Sequence, residues 1–333
     1  MVIWPSVQIV RMVTYCYRNL CEGLDPIAQQ RNTVTASMQD IEHLSTNRLS
    51  VVVPVFNEEN AVSGCVERLL TQSEIDEILI VDNNSTDGTA SIIQEFAEKY
   101  DKVRYVFEAR QGVVHARNAG FDASTGNIIG RIDADTRVQP GWADAVKGFF
   151  QRSTAHSAVA GLTYLFESPF ARIHRYALDR QVKQGKFDCE RQVLAVAGAN
   201  MAIRKSAWLS VREQVSDRPD IHEDIDLSLC LREEGMTIGQ IADMRAETSG
   251  RRGETPPLEY LKYNQASESV LHLHNIMNWR LKLTIWGDSM LHALVWPVYR
   301  IYNFEQERLE FRRLFGMSKG RIMPVHQYPI EFR

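Results

Sequence analysis

Asp133 and Asp135 stand two residues apart in Ile132-Asp133-Ala134-Asp135-Thr136. At that spacing, side chains on an extended backbone share one face. Such a pair could address one hard divalent cation, Mn²⁺ or Mg²⁺, which keeps sites open for water and substrate phosphate. A cation there would offset the charge of a departing diphosphate. The alternative is a solvated strand end, and the pair alone does not separate the two. A second acidic group, His222-Glu223-Asp224-Ile225-Asp226, opens an amphipathic stretch. Its acids either cap a helix start and favour its dipole, or supply a general base, Asp224, for an acceptor hydroxyl. His222 is an alternative base or a surface histidine.

Two further groups offer polar side chains next to turns. In Val81-Asp82-Asn83-Asn84-Ser85-Thr86-Asp87-Gly88, Ser85, Thr86 and Asp87 suit helix capping. That would leave the acceptor-only Asp82 carboxylate for the imide N–H of a base such as uracil. In the segment from Gly112 to Gly120, Arg117 offers a planar fork of donors for phosphate or a base carbonyl, or else forms a structural ion pair. The chain contains neither GxxxxGK[ST] nor GxGxxG, so the glycines do not build a phosphate loop.

These groups need a frame. Ser50 to Val55 is a β-branched run of the kind buried in parallel sheets. Val62, Cys65, Val66, Leu69 and Leu70 recur on one helical face. Strands are expected over 77–81, 103–107 and 127–133, with helices around Ile92 to Ala97 and over 113–122. This alternation predicts an α/β, doubly wound parallel sheet, whose ligands bind beyond the carboxyl ends of the strands. Asn57-Glu58, Asp82 and the pair Asp133/Asp135 all follow strands. Beyond residue 150, strands are expected over 158–166, 193–203 and 237–241, a helix over 225–234, and largely helical chain from Pro256.

Taken in order, Val53-Pro54-Val55-Phe56-Asn57-Glu58-Glu59, Val81 to Thr89, Gly112 to Gly120, Asp133-Ala134-Asp135, Gly198 to Arg204 and Glu223-Asp224 resemble glycosyltransferase family 2. The resemblance covers roughly residues 49–250. It implies a GT-A fold with a mostly parallel sheet, flanking helices and a helical carboxyl-terminal extension. It also implies an inverting, non-processive transfer of a sugar from a nucleotide-diphosphate donor, UDP-linked by expectation, to a glycan or lipid-linked acceptor in cell-envelope, glycolipid or polysaccharide assembly. Under the resemblance Pro54, Glu58 and Asp82 line the base and ribose pocket with Arg117 nearby. Asp133 contacts the nucleotide, Asp135 holds Mn²⁺ or Mg²⁺, and Gly198, Ala199 and Asn200 flank the sugar. Asp224 is the catalytic base. Arg251 or Arg252 would clamp the diphosphate or else form a solvated turn, and His272 and His274 are structural or further metal ligands. The Gln-x-x-Arg-Trp pattern of processive synthases is absent.

The expected organisation is an extension (1–48), a donor-binding half (49–150), an acceptor and catalytic half (151–250) and a helical region (251–333). A formal charge of -4 gives no electrostatic reason to expect nucleic acid. Five scattered cysteines form no zinc pattern and suit a reducing compartment, with Cys65 and Cys230 as small core residues. Met1 to Tyr17 is apolar but broken by Pro5 and Arg11, unlike a signal peptide. The expected location is therefore cytoplasmic. Leu283 to Tyr302 is amphipathic and rich in aromatic residues, so it either packs on its own domain or touches the inner face of a membrane. A competing reading is a non-catalytic nucleotide-binding relative of the same fold. A nucleotidyltransferase is disfavoured, because Phe56-Asn57-Glu58-Glu59 stands where a Gly-rich, Arg-containing loop is needed.

Overall fold

The computed structural model describes residues 47–187, 192–304 and 306–315. Residues 1–46 of the expected extension, together with Cys16, Cys21 and Cys189, lie outside the described residues. The β-branched run forms strand β1 (Leu49–Val55). Val51, Val53 and Val55 enter one apolar cluster and Val52 another, so both faces of the strand are covered. Then come α1 (Val62–Leu70), β2 (Glu77–Asp82), α2 (Thr89–Lys99), β3 (Val103–Phe107), α3 (Val113–Ala123) and β4 (Ile128–Ile132). This is the expected alternation, and β3, β2, β1 and β4 pair in that order, all parallel. Helix α3 sits close on the sheet at Gly120, where a Cβ would lie 2.3 Å from a Val52 methyl.

Past β4 the chain continues through β5 (Thr136–Val138), α4 (Trp142–Arg152), β6 (His156–Phe166), α5 (Ala171–Lys183), β7 (Asn200–Arg204), α6 (Lys205–Val211), α7 (Glu223–Glu233) and β8 (Thr237–Ser249). All eight strands form one sheet of order β3-β2-β1-β4-β7-β6-β8-β5. β7 runs antiparallel to β4 and β6, and β5 antiparallel to β8, so the sheet is mostly rather than wholly parallel. Helices α1, α2 and α4 cover one face and α3, α6 and α7 the other. Cys65 and Cys230 are buried among these apolar residues.

Two strand expectations change. The apolar run from Val193 becomes strand only at Asn200. Ahead of it, the Val196 amide donates to Ser228 Oγ (3.0 Å) and the Gly198 amide to Asp224 Oδ2 (2.8 Å). Side chains of α7 therefore replace a strand partner for these backbone groups. β8, expected to end at Ile241, runs on to Ser249 because β6 and β5 both pair with its polar second half.

The described part of the carboxyl-terminal region, up to residue 315, is largely helical as expected. A 3₁₀ turn (Gly250–Glu254) leads into α8 (Pro257–Leu273) and α9 (Trp279–Ile301). Asn278 caps α9 by accepting from the Arg280 and Leu281 amides at 3.0 and 3.1 Å. Short strands β9 (Tyr302–Asn303) and β10 (Arg308–Leu309) follow. Among the described residues no helix is long and apolar enough to cross a membrane.

Candidate active site

A cavity of about 550 Å³ opens beyond the carboxyl ends of β1 and β4, where ligands bind in sheets of this kind. Its wall includes Pro54 and Glu58 from the end of β1, Asp133 and Asp135 after β4, and Asp224 from the first turn of α7. Five of the eight residues expected at the site thus meet in one space.

Local structure aims each of them. Asn57 adopts a left-handed backbone (φ 53°), a conformation asparagine tolerates better than most residues. Its Oδ1 accepts from the Thr86 amide (2.8 Å), its own amide donates to Ser85 Oγ (3.0 Å), and the Glu58 amide donates to Thr89 Oγ1 (2.9 Å). The loop carrying Glu58 is therefore stitched to the loop after β2. Asp135 accepts from Thr248 Oγ1 (3.3 Å), which ties the site to β8. Both oxygens of Asp224 accept backbone N–H bonds, Oδ2 from Gly198 (2.8 Å) and Oδ1 from Ile225 (2.9 Å). Those two bonds fix the carboxylate's orientation toward the cavity.

The other three expected residues are used differently. Asp82 is buried, its Oδ1 accepting from the Ser85 amide (3.1 Å) and its Oδ2 from the Tyr105 hydroxyl (3.1 Å). Asp87 accepts from the Thr89 amide, and Ser85 and Thr86 bond to Asn57. Asp82 is thus engaged within the protein, contrary to the expectation that it stays open for a base edge. Arg117 is fully buried, its guanidinium near the Phe121 and Trp208 rings (5.9 and 5.7 Å). It donates to Asn118 Oδ1 (2.7 Å) and to the Glu223 carbonyl (3.0 Å), so it braces the start of α7 from behind. Asn200 is also fully buried, accepting from Trp142 Nε1 (2.8 Å) and donating to the carbonyls of Leu162 and Met244 (both 3.0 Å). It fastens β7 to its surroundings while its neighbours Gly198 and Ala199 face the cavity.

Sequence reasoning missed a buried ion pair at the cavity floor. Arg131, on β4, donates through Nη2 to Glu223 Oε1 (2.8 Å) and to Asp133 Oδ1 (3.2 Å). Burial pushes the Glu223 carboxyl up to about 7, opposed by Arg131 and reinforced by Asp224. Burial also raises Asp133, with Arg131 opposing and Asp135 adding to the rise. Gly198 passes so close to this pair that a Cβ would fall 1.7 Å from Arg131 Nη1. The available signal was a lone cation inside the apolar strand Ile128-Ile129-Gly130-Arg131-Ile132, since a buried charge needs a partner. Tyr263 of α8 was missed too. It closes one side, accepting from Arg252 Nη1 (3.0 Å), with the His222 ring 4.5 Å from its own. Arg251 also lines the cavity, its Nε bonded to Ser249 Oγ (3.0 Å).

The donor set suits a hard cation. Asp133 and Asp135 bring two carboxylates to the wall of one space. A different acid–thiol–imidazole group, Asp226, Cys230 and His274, has ligand atoms within 4.8 Å of one another. Its hydrogen bonding explains it without a metal. His274 bonds Asp226 Oδ1 through Nε2 (3.0 Å) and Glu233 Oε1 through Nδ1 (2.7 Å), and the Asp226 bond, opposed by burial and aided by Glu233, raises its pKa. Burial pushes the Cys230 thiol up to about 12, with Asp226 and Glu233 adding to the rise. His274 is therefore a hydrogen-bonded tie between α7 and the end of α8, and His272 is exposed.

Comparison with known proteins bears on this geometry. Residues 50–209 match the family model described as Glycosyl transferase family 2. The chain is 39% identical over 97 residues to the uncharacterized glycosyltransferase YibD of Escherichia coli (strain K12), covering 29% of this chain and 28% of that protein. It is 35% identical over 108 residues to the uncharacterized glycosyltransferase alr2836 of Nostoc sp. (strain PCC 7120), covering 32% and 34% respectively. The match thus spans about a third of the length of these two curated relatives. Among solved structures, the mannosyltransferase PcManGT from Pyrobaculum calidifontis, in complex with GDP-Man and Mn²⁺, superposes with a TM-score of 0.53 at 16% identity. The match covers 89% of this chain and 85% of that one. The fold is of the GT-A kind.

Proposed function

We propose that this chain, whose residues 50–209 form a glycosyltransferase family 2 domain, transfers a sugar from a nucleoside-diphosphate donor to an acceptor hydroxyl. The observation that carries the reading is the convergence of Asp133, Asp135 and Asp224 on one cavity at the carboxyl ends of the strands. Pro54 and Glu58 would contact the base and ribose, and Asp133 the nucleotide. Asp82, Arg117 and Asn200 would act by holding the donor-side loops and the sugar-side wall in place. Asp135, with Asp133 beside it, would hold Mn²⁺ or Mg²⁺, which when bound offsets negative charge on a diphosphate.

Asp224 would take the proton of the acceptor hydroxyl. The acceptor oxygen then bonds to the anomeric carbon as the bond from that carbon to the diphosphate oxygen breaks. The leaving group departs as the nucleoside diphosphate. One displacement from the face opposite the leaving group inverts the anomeric configuration. The Arg131–Glu223 pair would hold the floor, and Arg251 and Arg252 lie on the wall where a diphosphate could be met.

Thermal unfolding with UDP, GDP, dTDP and CDP, each with and without Mn²⁺, tests the donor side. A metal-dependent rise with one nucleotide, lost in Asp135→Asn, is expected. Asp224→Asn should keep that rise and lose transfer or donor turnover by about 10²–10⁴-fold. Equal turnover in mutant and wild type would remove Asp224 from the role of base. Nucleotide binding with no turnover in wild type would favour the non-catalytic reading.

A further inference from the structure

Among the described residues, helix α9 leaves an apolar stripe uncovered. Trp279, Leu283, Trp286, Met290 and Leu294 are each between 47% and 75% exposed, and their spacing of four, three, four and four residues puts them along one face of the helix. The opposite face is occupied. Leu281, Leu291, Val295 and Tyr299 are buried, and Asp288 accepts from the Tyr260 hydroxyl and the Asn264 amide of α8 (both 2.9 Å). The stripe is therefore surplus to the core.

Charge narrows what could cover it. By helical period Arg280 flanks one edge of the stripe and Lys282 the other, and both are exposed. Lys282 lies 3.8 Å from Glu268 and is still 56% exposed. The one acid of the helix, Asp288, faces α8. Two copies meeting through this stripe would bring like charges together. An anionic bilayer offers apolar depth for the stripe, an interfacial zone for the two tryptophans, and opposite charge for the flanks. A helix unable to span can lie in that plane.

The stripe is also joined to the cavity. His292 Nε2 bonds the Thr255 carbonyl (2.8 Å), and Trp296 Nε1 donates to the Glu254 carbonyl (3.1 Å). The Arg251–Thr255 segment so held lines the cavity, as does Tyr263 of the neighbouring α8. We infer that α9 docks the protein on an anionic lipid surface through Trp279, Leu283, Trp286, Met290 and Leu294, setting the cavity beside the bilayer to take an acceptor carried on a lipid. The acceptor class rests on the proposed transfer; the docking itself does not.

Flotation of the full chain with vesicles of phosphatidylcholine, alone and with added phosphatidylglycerol, tests it. Wild type should float with the anionic vesicles and far less with the neutral ones. W286S/M290S should reduce the bound fraction about tenfold or more, and R280E/K282E should abolish the preference for anionic lipid. Circular dichroism and the nucleotide-dependent thermal shift of both variants should match wild type, since neither pair lies in the cavity. Failure of wild type to float, or equal flotation by the variants, overturns the docking. A concentration-dependent dimer in sedimentation that W286S/M290S dissolves overturns it in favour of a second copy. Flotation without any nucleotide response would leave the docking standing and remove the transfer reading.

Discussion

The sheet and the α8–α9 hairpin treat their apolar residues in opposite ways. Every residue of β2 and β4 is buried, with helices on both faces. α9, a longer run of comparable apolar content, buries one side and leaves tryptophan, leucine and methionine in the open on the other. A strand in mid-sheet has no side left for a partner, so its charges must be neutralised internally, as Arg131 is by Glu223 and Asp133. A surface helix has a spare side, and under the proposed docking the residues there would meet a lipid surface. The same residue types thus fill the core in one region and stand exposed in the other.

Arg131→Met attacks the sheet side most directly. It takes the nearer cation from the buried Glu223, leaving Arg117 at 4.0 Å, and a loss of up to about 3–5 kcal/mol is expected from such a broken buried pair. Urea unfolding measures it, and a loss below about 1 kcal/mol would mean that Glu223 simply takes up a proton there. The effect at the junction of the two regions should be smaller. His274→Gln removes the tie to Asp226 and Glu233, at about 1–2 kcal/mol. Because the folded His274 pKa is raised above its ordinary 6.5, the stabilisation is fully present below that value and fades as pH rises through the folded pKa. The stability gap between wild type and variant should therefore be widest in mild acid and narrow toward alkaline pH; a pH-independent gap would assign His274 a packing role only. On the exposed stripe, Leu294→Ser should change stability by less than about 0.5 kcal/mol. A larger loss would show that the stripe is covered by the protein itself.

Much of the frame was legible before any coordinates. The β-branched run at Ser50–Val55 and the helical recurrence from Val62 read correctly because both report directly on burial: period two or continuous for a strand, 3.6 for a helix. The Val193 run misled for a definable reason. Apolar composition signals burial, and Val193 to Val196 are buried, but only the Val193 amide reaches a strand, at the Ile238 carbonyl of β8 (3.0 Å), while the Val196 and Gly198 amides go to Ser228 and Asp224. The polar half of β8 was missed because its pairing partners lie far away in sequence.

The site divides along the same line. Sequence alone determined which acids stand at strand and helix ends, hence that Asp133, Asp135 and Asp224 could reach a ligand. Residue type and position relative to an element's end are local properties, and one chain carries them. Only the tertiary structure decided that these three share a cavity while Asp82, Arg117 and Asn200 spend their polar atoms on Tyr105, Glu223 and Trp142. It also decided which side of α9 would be covered. A hydrogen-bonding group serves whichever partner folding brings within about 3 Å, and that partner is set by packing between segments 23 to 106 residues apart.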